Sequence, residues 1–182
     1  IVAYADGMDQ AGYYLAAHAD EINLHPAGAT ILEGIGRYRA YYREALEDKL
    51  GVKIHLFRVG EYKSFAEPYI RDNASPEANE ADLYWMTDIW QRYLAEVAEL
   101  RKLDAATLQA QIDGLDTEIA AVQGDLGQLA LRLGLVDELK TADEFRALMI
   151  ERGVEDEKNH TFRQVSLDSY LGFLDLEKLP FD

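Results

Sequence analysis

Cysteine is absent from this sequence of 182 residues, which excludes disulfides and thiolate chemistry and leaves either redox compartment open. Positive charge is scarce: 18 Lys and Arg stand against 34 Asp and Glu, for a net charge of -16. Nucleic acids and anionic membrane surfaces attract basic patches, so neither is an expected partner. No apolar run approaches the ~20 residues that span a bilayer as a helix. Histidine is sparse, and His18, His25, His55 and His160 have no metal-ligand spacing with neighbouring carboxylates, so they read as structural or solvated and no metal or cofactor is expected. No serine or threonine precedes Thr30. The first turn of the chain therefore carries no hydroxyl nucleophile.

What is present is a globular composition, 48% hydrophobic and 10% aromatic, and residues 1–182 read as a single soluble domain. The chain opens at Ile1-Val2-Ala3-Tyr4 without a methionine, already inside an apparent strand, and reads as a piece of something longer. Asp6-Gly7 then signals a turn, and a small-residue helix starts at Gln10. Asp6 and Asp9 fit turn and cap roles; a paired-carboxylate glycosidase reading is the alternative. A short strand at 22–24 leads to Pro26 at an edge or turn. A helix over 37–50, ended by Gly51, feeds a strand over 52–59, the strand-helix-strand order of an α/β layered fold. Ser75-Pro76-Glu77 is a helix start: an N-cap, a proline at the first position and an acid at the positive end of the dipole. From there Leu83, Met86, Trp90, Leu94 and Val97 recur at three and four residues as a packing stripe over more than twenty residues. The final third is helical over 105–112, 126–133 and 142–152, with Thr141 or Asp143 as a cap. An edge strand over 161–165 and an amphipathic tail over 167–176 follow. In that tail Leu171, Phe173, Leu174 and Phe181 call for a partner.

The chemistry centres on Val59-Gly60-Glu61-Tyr62-Lys63-Ser64, with Lys63 at the exit of the expected strand. A lysine held there by a rigid element and withdrawn from water is a candidate general base. Working near pH 7–8 instead of the ordinary ~10.4 takes about three pKa units, or about 4 kcal/mol of differential desolvation. The bland alternative is a lysine that snorkels off a strand end.

The run Gln10-Ala11-Gly12-Tyr13-Tyr14-Leu15-Ala16, the segment Asp20-Glu21-Ile22, and the long stretch Phe57-Arg58-Val59-Gly60-Glu61-Tyr62-Lys63-Ser64-Phe65-Ala66-Glu67-Pro68, with Ile70-Arg71-Asp72 and Ser75-Pro76, resemble the N-terminal repeat of the long-form signal peptide peptidase A family, peptidase family S49. The resemblance implies a ClpP/crotonase-like α/β fold of repeated β-β-α units, here an incomplete N-terminal repeat with a long helix and a helical C-terminal part. It implies a serine protease with a Ser/Lys dyad that degrades signal peptides. Its catalytic domain faces the periplasm from the bacterial inner membrane, in a homotetramer. The long form resembles two fused short-form copies, with the lysine from the first and the nucleophilic serine from the second. By similarity the family's nucleophile position falls on Gln10 and its lysine-orienting serine near Leu32, neither of which can do the job, whereas Lys63 falls on the general base. The same resemblance implies that the opening strands, the membrane anchor and the C-terminal repeat lie outside this chain.

Two classes of function follow. One is half of a protease active site, with Lys63 as base and the serine and oxyanion donors supplied by the C-terminal repeat. The other is a non-catalytic module for assembly or peptide binding, in which Lys63 is merely retained. A crotonase-type acyl-CoA enzyme shares the fold, but nothing here matches its motifs.

Overall fold

The computed structural model describes residues 1–57, 59–60 and 63–177. Arg58 of the expected strand, Glu61 and Tyr62 of the lysine stretch, and Phe181 of the tail lie outside the described residues. The chain mixes helix and strand, as the α/β reading expects, and divides into two compact units.

The first unit comprises Ile1–Met8, Ala19–Thr30 and the described residues from Ile119 on. Three strands, β1 (Val2–Ala5), β2 (Glu21–Leu24) and β3 (Glu138–Leu139), form a parallel sheet in the order β1-β2-β3. Val2 pairs with Glu21, and Asn23 with Glu138. Successive strand residues point to opposite faces, so burial of Ile22, Asn23 and Leu24 in a row means that β2 is covered on both sides, as central parallel strands are. Leu129 and Ala130 of α6 (Leu126–Arg132) and Leu133, Leu135 and Val136 just after it are also buried in this unit, and α6 packs on β3. Gly28 makes a tight approach: a Cβ there would stand 2.3 Å from the Asp6 carbonyl oxygen. Helix α7 (Ala142–Arg152) begins with a full capping box, in which Thr141 and Glu144 satisfy each other's backbone N–H groups. Beyond it β4 (Glu155–Asp156) pairs antiparallel with β5 (Thr161–Phe162), a shorter strand than the 161–165 expected. Helix α8 (Leu167–Glu177) follows, with Leu167, Tyr170, Leu171 and Phe173 exposed.

The second unit holds residues 9–18 and 31–118. Its elements are α1 (Gln10–Ala16), a π-helical turn (Glu44–Lys49), α2 (Glu67–Ile70), α3 (Pro76–Arg101) and α4 (Ala105–Asp113); α5 (Leu115–Ala121) runs on past residue 118. Asp9 caps α1 by accepting from the Gly12 N–H, and Ser75 caps α3 by accepting from Ala78 N–H, both at positions legible in the sequence. Tyr13, Leu32, Leu94, Val97 and Leu108 form the buried core.

Two expectations fail here. The helix over 37–50 is helical only around the π turn: the Tyr42 N–H donates to the Pro68 carbonyl at 2.6 Å, and the Arg37 and Arg39 side chains reach Asp82 and the Ser64 carbonyl. A distant partner has taken the Tyr42 N–H that a helix would use, and tertiary bonds of the two arginine side chains hold the segment beside it, overriding local propensity. The strand over 52–59 does not form among its described residues, and Val52, Ile54, Leu56, Phe57 and Val59 are exposed. A strand requires a neighbour to satisfy its backbone, and the described sheets consist of other segments. The α3 stripe is likewise half realised, with Leu94 and Val97 buried while Leu83 is 60% exposed. No helix among the described residues is long and apolar enough to cross a membrane.

Leu129 is fully buried and Leu131, two residues on, is 37% exposed. Leu129→Ala is expected to lower unfolding free energy by about 2–5 kcal/mol in urea titrations. Leu131→Ala, on the wet side of the same helix, is expected to cost about 1 kcal/mol or less.

Candidate active site

Lys63 sits in an irregular segment of the second unit, and its side chain is exposed. Gly60, three residues before it, has φ +98°, a conformation that L side chains rarely adopt, and a Cβ added there would lie 3.9 Å from the Lys63 Cε. Glycine thus sets the bend from which the lysine emerges. Immediately after Lys63, the Ser64 carbonyl accepts from the Arg39 guanidinium at 3.1 Å and from the Glu67 N–H at 3.1 Å. One turn of helix, α2, then places the Glu67 side chain in the interior, fully buried, with Pro68 in its first turn.

Ser75 bonds both carboxylate oxygens of Glu67. Its Oε1 accepts from the Ser75 hydroxyl at 2.5 Å and its Oε2 from the Ser75 N–H at 3.1 Å. Ser75, itself 3% exposed, at the same time caps α3 through its Oγ. On the outer side of this connector the Arg43 guanidinium grips both oxygens of Asp72 at 2.9–3.0 Å. That hydrogen-bonded carboxylate, with Asp48 beside it, holds the guanidinium even more firmly protonated than usual.

Gln10 opens α1 at the position where a nucleophile is expected by resemblance. Its Oε1 accepts from the Glu33 N–H at 3.1 Å and the Gly34 N–H at 3.0 Å, and its Nε2 donates to the Gly34 carbonyl at 3.2 Å. The side chain is a clamp between α1 and the segment that follows buried Leu32, so the structure brings together the two positions at which the resemblance expects serines. An amide bound in this way cannot be acylated under attack conditions that require a free hydroxyl or thiol. The bonds that hold Gln10 run to residues 33 and 34, and from Tyr93 to its carbonyl; those that hold the Lys63 segment run to Arg39 and Ser75.

Sequence reasoning missed a cavity of about 660 Å³ beside Gln10, walled by Tyr14 and Leu15 of α1, Ile35, and Ile89 and Tyr93 of α3. The Tyr93 hydroxyl donates to the Gln10 carbonyl at 2.9 Å, and its ring stacks on Trp90 with centroids 5.4 Å apart. Burial first, then the charge of Asp9 and the neighbouring Tyr14, push the Tyr93 hydroxyl far above the ordinary tyrosine range. Tyr14 donates to the Glu96 carboxylate, which raises its pKa as well. The available signal was an aromatic one residue off the α3 stripe, at Tyr93. His18 and His25 make local backbone bonds, with the Tyr14 carbonyl and the Ala27 N–H. Among the described residues no three His, Asp or Glu side chains stand together as a metal site.

Compared with models of known families, residues 1–155 match the one described as peptidase family S49. Among curated proteins, the chain is 41% identical over 175 residues to a protein named Protease 4 from Salmonella typhi, covering 93% of this chain and 27% of that protein. A second Protease 4, from Haemophilus influenzae, is 33% identical over 174 residues, covering 94% of this chain and 28% of the relative. The chain therefore spans about a quarter of the length of the curated relatives it matches.

The raised folded-state pKa of Tyr93 has a definite sign. A tyrosine that ionises near pH 10 when unfolded but resists ionisation when folded gives full stability below about pH 10 and loses it as pH rises further. Thermal denaturation between pH 9 and about 11 is expected to show a steeper decline for the wild-type chain than for Tyr93→Phe. Parallel declines would assign the alkaline loss to other groups.

Proposed function

This chain belongs to peptidase family S49, and from that membership we propose that it is part of a serine protease in which Lys63 is the general base and the nucleophilic serine comes from the C-terminal repeat of the same protein. The observation that carries this reading is the state of Gln10. The position expected to hold a nucleophile carries an amide engaged on three backbone groups, while the lysine is retained and the chain just after it is tied down at Ser64 and Glu67. A copy that has lost its nucleophile and kept its base has the composition of a base-donating half.

In this reading the neutral Lys63 amine accepts the proton of the serine hydroxyl as the oxygen attacks the scissile carbonyl. The resulting tetrahedral oxyanion is stabilised by N–H donors from outside this chain. Collapse expels the leaving amine, which takes the proton back from the Lys63 ammonium, and water then releases the acyl group with Lys63 again as base. Lys63 is exposed here, so the desolvation that a lysine base requires is assigned to the repeat that docks against it. The reading includes a ClpP/crotonase-like fold, of which this chain is part of the N-terminal repeat. It also includes a homotetramer at the bacterial inner membrane, facing the periplasm, and signal peptides as substrates. No cofactor enters the reaction.

A second reading, a non-catalytic module for assembly or peptide binding, draws on the apolar surface around the lysine, where Phe57, Val59 and Phe65 are 94%, 84% and 89% exposed. The two readings separate on the lysine itself. In the complete protein Lys63→Arg is expected to abolish peptide turnover with assembly unchanged, because a guanidinium keeps the charge but stays protonated at any working pH. Substantial turnover by assembled Lys63→Arg would leave the module in front.

The isolated 182-residue chain is expected to hydrolyse no fluorogenic peptide, because Gln10 offers no nucleophile. Activity that survives purification and disappears on mutating one of its own serines would sink the split-site reading.

A further inference from the structure

We propose that Glu67 is the positioning residue for Lys63: its buried carboxylate, bonded twice to Ser75, fixes the lysine segment to the N-terminus of α3. This rests on the reading of Lys63 as general base and adds to it the group that holds the base in place. The observations are geometric. A carboxylate with no exposure is costly unless its oxygens are hydrogen-bonded, and both Glu67 oxygens receive bonds from Ser75, at 2.5 Å and 3.1 Å. The charge also sits at the first turn of a helix of 26 residues, where the aligned backbone dipoles favour an anion. Ser75 Oγ already caps α3 by accepting from Ala78 N–H, so the cap itself has no need of Glu67.

What Glu67 adds is a tie from α3 to the chain just after the lysine. Its own N–H donates to the Ser64 carbonyl at 3.1 Å, so a single peptide unit separates Lys63 from a bonded point, and that point is anchored through Glu67 to a helix packed into the core by Leu94 and Val97. A general base must stand within hydrogen-bond reach of the proton it takes. Holding the main chain beside it to a rigid helix fixes the point from which its side chain starts. Displacements of about 1 Å in such an arrangement cost on the order of 100-fold in rate.

The test uses the complete protein. Glu67→Gln keeps the shape but offers one acceptor where two are used, and Ser75→Ala removes the hydroxyl donor from the other side. Each is expected to lower kcat per assembled enzyme about 10- to 100-fold with KM within about twofold of wild type. The double variant is expected to lose little beyond the worse single, since both variants alter the same hydroxyl–carboxylate bond. If Glu67→Gln does not assemble, Ser75→Ala carries the same measurement. A lowered melting temperature with unchanged kcat per assembled enzyme would reduce Glu67 to a structural group and overturn the assignment. So would a loss confined to KM, or fully additive losses in the double variant. Lys63→Ala serves as the separate control. Turnover that survives it removes the general-base reading and the positioning role together, whereas loss in Lys63→Ala with wild-type kcat in Ser75→Ala removes the positioning role alone.

Discussion

Backbone N–H and C=O groups that leave water must find partners, and the structure of this chain depends on how each segment meets that demand. In the first unit a parallel sheet answers it, with β2 paired on both edges and the Asp137 carboxylate accepting from the Ile22 N–H at 2.7 Å. In the second unit no sheet is available among the described residues, and side chains do the work. The Gln10 amide takes the N–H groups of residues 33 and 34, Arg39 takes the Ser64 carbonyl, and Glu67 takes the Ser75 N–H. These substitutes for a ladder are individual bonds, and residues 50–57 keep Leu50, Val52, Ile54, Leu56 and Phe57 exposed.

The two positions of chemical interest are consequences of that bonding. Gln10 has both ends of its amide engaged, and it rigidifies the turn from α1 toward residues 33–34 instead of presenting a reactive atom. At Lys63 the main chain on the C-terminal side is tied down through Ser64 and Glu67, and the residue itself is exposed. A base needs a fixed origin and access to a substrate proton, and this combination supplies both while leaving desolvation to whatever docks against it. The cavity between α1 and α3 is walled chiefly by apolar and aromatic groups, and the protonated Tyr93 hydroxyl binds it to the Gln10 main chain.

The acidic composition shapes the surface more than the fold. The ion pairs with resolved geometry involve exposed or half-exposed partners, such as Arg146 with Asp143 and Arg92 with Asp88, and pairs of this kind contribute little individually. Glu67 differs in kind: its carboxylate lies inside and accepts two bonds from Ser75.

Local rules written into the residues determined a good part of this protein. Asp9, Ser75 with Pro76, and Thr141 each mark a helix start because a short polar side chain can satisfy the first free N–H groups of whatever helix follows it, wherever that helix packs. The helices over 105–113, 126–132 and 142–152 were legible from helical patterning and caps, the strands around 2–5 and 21–24 from short apolar runs, and the Lys63 stretch carried the family resemblance that residues 1–155 bear out. The tertiary structure alone decided what required a distant partner. Residues 52–57 have every local mark of a strand and form none, because a strand is stabilised by its neighbour and not by its own composition. Residues 37–42 are helix-compatible, yet the Tyr42 N–H goes to the Pro68 carbonyl and the Arg37 and Arg39 side chains tie the segment to Asp82 and Ser64. The burial of Glu67 could not be read from a motif, since an acid beside a proline is ordinarily a solvated first-turn residue. Its place inside the second unit follows from Ser75, eight residues away, which becomes its neighbour only when the connector folds back onto the end of α3.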